Sequence, residues 1–152
     1  MNWKLIIIGG LVYYVATMII SFGITGPLIH ERVLDSTYQE YEMFWRPELR
    51  SDPPDMAALM PRWITVGLIT TFITVAIFAC VAPSLGGVNL MGGLKFGIIM
   101  GVFTAMLSAG WSGVFDLPDS LWAWWSLDAL LLHAVGGAAM GWVGGKFASD
   151  SS

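Results

Sequence analysis

Asp128 and His133 lie inside a run that is otherwise apolar over a helix's length. An ionisable side chain in such a run costs free energy unless it has a partner or a function, so both are candidate functional residues. On a helix rising about 1.5 Å per residue they stand about 7.5 Å apart. His133 falls in a row of small residues and so points into a close helix contact, where its plain role is a hydrogen bond to Thr104 or Ser108. Haem ligation by His133 calls for a second histidine at the same depth, and His30, the other histidine, belongs near a membrane boundary. Asp128 falls nearly opposite that row. Arg62, Arg32 and His30 lie at the same end and are its candidate ion-pair partners within the chain; a water-reached carboxyl and a contact with another subunit are the alternatives.

The familiar catalytic signatures fail. His30-Glu31 opens a zinc-protease pattern, but the second histidine would fall where Leu34 stands. Gly144-Gly145-Lys146 is followed by Phe147, where a phosphate loop needs Ser or Thr. The single Cys80 excludes a disulfide framework and a cysteine-based metal site within one chain. Nothing basic enough to track nucleic acid is present. The expectation is a non-enzyme with no metal site.

The elements that must hold Asp128 and His133 follow from composition. The chain has 152 residues, 56% apolar and 12% charged, with a mean hydropathy of +0.70. Soluble domains carry about 25% charged residues, so this composition indicates an integral membrane protein. Four stretches reach the roughly 20 apolar residues a spanning helix needs: residues 5–29, 63–81, 92–115 and 121–146. The expected fold is all-α, a single membrane domain of four spans arranged up-down-up-down. Pro61 suits a first-turn position in the second span. Lys4, Lys95 and Lys146 fall at one end, and Lys4 beside the first helix favours cytoplasmic termini.

Residues 30–62 form the one long extramembrane segment. The net charge of −4 divides unevenly, with four arginines and seven acids in this segment against three lysines and four aspartates elsewhere. Ser36 with Gln39, and Thr37 with Glu40, have capping-box spacing, and a short amphipathic helix is expected over residues 37–46. Its apolar stripe is Leu34, Tyr38, Tyr41 and Trp45. This stripe either lids its own bundle or docks on a partner, together with Trp122, Trp124 and Trp125 of the last span.

Small residues recur in four-residue steps at Gly93, Gly97, Gly101, Ala105, Ala109 and Gly113, and again at Gly137, Gly141 and Gly145. Such rows let helix backbones approach closely where lipid supplies no hydrophobic drive. Only residues 116–120 join the last two spans, so an antiparallel hairpin is expected. Trp63, Trp111, Trp122, Trp124 and Trp125 map to the long-loop end and Trp3 and Trp142 to the other, as in an interfacial aromatic belt.

Met1-Asn2-Trp3, Gly26-Pro27-Leu28, and Leu127-Asp128 followed by His133 resemble a family of uncharacterised four-span bacterial membrane proteins. The chain departs from it in residues 30–62 and in lacking an aromatic pair before Gly26. The resemblance implies topology only; the expected location is a bacterial inner (cytoplasmic) membrane, as a multi-pass protein. The functional expectation is a non-catalytic accessory subunit that docks on a larger membrane complex or self-associates, with bound lipid and no cofactor. A small carrier using Asp128 and His133 as a polar relay is the second reading, against which stand the absence of an inverted repeat and of a broken helix. A haem, quinone or pigment binder using His133 and the tryptophans is the third.

Overall fold

Asn2 opens the first helix by accepting a hydrogen bond from the Leu5 N–H at 3.1 Å, and α1 (Trp3–Ile20) follows. The computed structural model describes residues 2–148; Met1, the start of the quoted family likeness, and residues 149–152 lie outside them. From Ser21 to His30 the chain continues as a wider π-helix, not as the uniform α-helix expected of span one. Its bonds reach back five residues, as from the Glu31 N–H to the Gly26 carbonyl at 2.9 Å, and Pro27, with no N–H to give, lies inside it.

The long loop holds α2 (Asp35–Glu40), a 3-10 turn (Glu42–Phe44) and α3 (Pro47–Arg50). The single helix expected over residues 37–46 is therefore divided. The capping boxes do not form: Leu34 is the N-cap and gives no side-chain bond, while Gln39 donates to Asp35 at 2.9 Å. Pro47 opens α3 where a helix end was expected, because its fixed φ suits a first turn.

Asp55 caps α4 (Met56–Val81) by accepting from the Ala58 N–H at 3.1 Å. Pro61 thus lies inside α4, not at its start. A 3-10 turn (Ala82–Leu85) ends at Gly86, whose φ of 98° is left-handed and favours glycine. Asn89 caps α5 (Leu90–Gly110), and α6 (Asp119–Ala148) completes the chain. Among the described residues four helices are long and apolar enough to cross a membrane: Trp3–His30, Met56–Leu85, Leu90–Gly113 and Asp119–Phe147.

Their packing is written in the glycines. A methyl placed on Gly93 would strike the Gly137 carbonyl oxygen and lie 2.7 Å from the Gly141 Cα. One on Gly97 would strike the His133 carbonyl, and one on Gly101 would lie 2.9 Å from the Leu130 Cα. As numbers rise on α5 they fall on α6, so the pair is antiparallel with the backbones in near contact. Gly113, the end of the four-step row, has nothing within 4 Å, and Gly145 faces Val88 and Asn89, not α5.

A second row on α6, Gly136, Met140 and Gly144, meets Tyr13, Gly9 and Leu5 of α1, also antiparallel. Gly10 of α1 packs on Phe72 of α4, and Gly67 of α4 on Tyr14. The close backbone pairings are thus α4 with α1, α1 with α6, and α6 with α5. No comparable pairing closes α4 onto α5, which meet at the terminal end, where the rings of Phe78 and Phe96 stand 5.2 Å apart.

The apolar core occupies that end: Leu5, Val75, Phe78, Ala82, Phe96 and Met140 pack together beneath Tyr13. The outer faces are apolar as well, with Ile69 and Ile73 of α4 and Phe103 and Met106 of α5 exposed.

Candidate functional site

Above the core, toward the long loop, the four long helices leave a partly open space whose wall is mainly apolar but carries several polar side chains. A cavity of about 310 Å³ lies there, walled by all four long helices. From α1 come Tyr13, Tyr14, Thr17, Met18 and Ser21, and from α4 Gly67, Thr70 and Thr71. Thr104 of α5 contributes, and α6 supplies Trp125, Asp128, Ala129, Leu132 and His133. Asp128 and His133 therefore share one space, although they are five positions apart on α6.

His133 sits between two helices. Its Nδ1 is bonded to the Tyr13 hydroxyl and its Nε2 lies 3.1 Å from the Thr104 hydroxyl. Of the two neighbours expected for it, Thr104 is its partner. Tyr13 is almost fully buried. The imidazole thus ties α1 to α5 across α6.

Asp128 is covered from the loop side. Its Oδ2 lies 3.4 Å from His30 Nε2, and its side chain is only 15% exposed. Its Oδ1 is buried and has no hydrogen-bond partner among the described residues. Arg32 and Arg62, the other expected partners, are exposed and form no ion pair among the described residues. Asp128 is turned inward because α1 packs on its face of α6, while the glycine row packs on α5. A helix with two packed faces has no single inside.

His30 continues the network outward. Its Nδ1 lies 2.6 Å from the Tyr38 hydroxyl, which also accepts from the Trp125 indole N–H at 2.8 Å. With Tyr38 donating to Nδ1, the hydrogen on Nε2 faces Asp128. Trp45 donates to the Tyr38 carbonyl at 2.7 Å and stands edge-on to both Tyr38 and Trp125. The loop stripe is therefore folded onto its own bundle above the cavity. Leu34 is 1% exposed and Trp122 6%, which removes both from any docking surface; Tyr41, Trp124 and Trp125 are half-buried.

Burial holds the Tyr38 hydroxyl above the ordinary phenol range; the Trp125 N–H opposes this and the Asp128 carboxylate adds to it. A group whose pKa is raised on folding stabilises fully below its unfolded pKa, here 10.0, and loses that contribution as pH rises past it. Tyr38→Phe is therefore expected to show a shallower loss of thermal stability between pH 9 and 11 than wild type, by about the share of one tyrosine. Parallel alkaline limbs would contradict this.

Sequence reasoning missed Tyr13, Tyr14, Thr17, Ser21, Thr70 and Thr71. A signal for them existed: Tyr13, Thr17 and Ser21 follow a four-residue step, a polar stripe inside an apolar helix.

No family model, curated protein or solved structure matches the chain. The likeness to four-span bacterial membrane proteins rests on the quoted residues alone.

Proposed function

We propose that this chain is an integral protein of a bacterial inner membrane, with cytoplasmic termini, that takes a small solute into its cavity and carries it, using Asp128 and His133 as its polar groups. The single observation behind this reading is the cavity itself. It joins both intramembrane ionisable residues in one space, and its volume falls at the lower end of ligand sites, about 300–1,000 Å³. The change from α to π winding at Ser21, a cavity-lining residue, adds to it, since π-turns occur often at functional sites. The accessory-subunit reading draws less support, because much of its expected docking surface is spent inside the chain.

Reconstituted in liposomes on a solid-supported membrane, the protein is expected to give a solute-evoked current with at least one member of a panel of amines, amino acids and sugars. Asp128→Asn is expected to abolish it. Silence across the panel, with a stoichiometric partner retained after mild-detergent purification, would overturn the carrier reading in favour of an accessory subunit.

A further inference from the structure

The charge and chemistry of the cavity wall restrict what it can hold, if it is the binding site proposed above. Among the described residues no lysine or arginine lines it, and the one carboxylate is Asp128. An anion would meet that carboxylate with no fixed positive charge opposite. His133, the other ionisable group of the wall besides tyrosines, already has both ring nitrogens engaged by Tyr13 and Thr104. A sugar would need many free hydroxyl partners, yet Thr17 and Thr71 donate to the Tyr14 and Leu68 carbonyls of their own helices, at 2.9 and 3.0 Å.

A cation fits on three counts. Asp128 is the one carboxylate on the wall among the described residues, and the single charged or hydrogen-bonding group beside it is His30, 3.4 Å from Oδ2, so no lysine or arginine offsets its negative charge. Tyr14 and Trp125, both half-buried, line the same space, and aromatic rings attract cations. Lastly, α4 and α5 are not closed onto one another beside the cavity, and Thr70 on that wall is exposed, so the open side faces where lipid would lie. A ligand entering there needs an apolar body.

We infer that the cavity binds a small monovalent organic cation, an amine or quaternary ammonium carrying an apolar group of about one ring, with its charge against Asp128. Tritiated benzyltrimethylammonium tests this in lipid nanodiscs, with empty discs as background. Saturable binding is expected, displaced by the unlabelled cation and not by benzyl alcohol or benzenesulfonate. Asp128→Asn is expected to weaken it by about tenfold or more, and Asp128→Glu to retain it. Equal displacement by the alcohol or the sulfonate, or unchanged binding in Asp128→Asn, would overturn the cation assignment and leave the cavity as a binding site. No saturable binding of any of the three, each tested as a labelled probe, would end both readings. Should Asp128→Asn fail to fold, the wild-type competition series decides by itself.

Discussion

Gly137→Ile is expected to lose its folded form in mild detergent at temperatures where the wild-type protein is intact. Any Cβ at this position would strike the Gly93 carbonyl and lie 2.8 Å from the Gly97 Cα. The obstructing atoms are backbone, so no side-chain rotation relieves the clash and α5 must move away from α6. In lipid or detergent, where apolar side chains gain little by leaving the solvent, helix pairs depend on close van der Waals contact. A displacement of even one ångström weakens that contact along the whole face. Gly137→Ala, the smallest form of the test, is expected to cost about 1–3 kcal/mol, and isoleucine more. Gly110→Ala is the control: nothing lies within 4 Å of its Cβ position, so it should melt with wild type or slightly above. Thermal unfolding followed by circular dichroism reads all three. Coincident curves for Gly137→Ile and wild type would show that the backbone approach does not hold the pair together.

Phe78→Ala is expected to be the most damaging truncation in the apolar core. Phe78 is 0% exposed and packs at 49° against Phe96, the contact that closes α4 and α5 at the terminal end. Phenylalanine-to-alanine changes in water-soluble cores cost about 3–5 kcal/mol, part from transfer and part from the void left behind. If the unfolded segment rests in lipid, the transfer part shrinks and the lost contacts remain, so the lower part of that range is expected. Ile73→Ala on the same helix separates packing from composition. Ile73 is 56% exposed, and its truncation should change stability by about 0.5 kcal/mol or less. Equal effects at the two positions would mean that the Phe78–Phe96 contact has no special part in closing the bundle.

The four long helices were legible because a spanning helix is a local property: about 20 apolar residues suffice to define it. The four-residue steps at Gly93, Gly97, Gly137 and Gly141 were legible for the same reason, since periodicity alone shows which side chains share a face. So was the apolar stripe of the loop, though its helix was not. Breaking that segment into two short helices and a 3-10 turn depends on Pro47 opening a new turn and on Trp45 reaching back to the Tyr38 carbonyl.

The site was legible only in parts. Asp128 and His133 stood out as costly residues, and His30 was among the partners considered for Asp128. That Asp128 faces a cavity was not readable, because a helical wheel gives a direction and not a neighbour. It took the packing of α1 on the second glycine face of α6, Gly136 and Gly144, to make that direction an interior. His30, at the end of the π-wound segment Ser21–His30, approaches Asp128 to 3.4 Å, and counting at 3.6 residues per turn does not give the direction of a residue in such a segment. Sequence by itself determined which long helices exist and which ionisable residues lie within them. Tertiary structure decided that those residues share one space, because contact across α1, α4, α5 and α6 depends on which faces meet, and the pattern along any single helix carries no record of its partner.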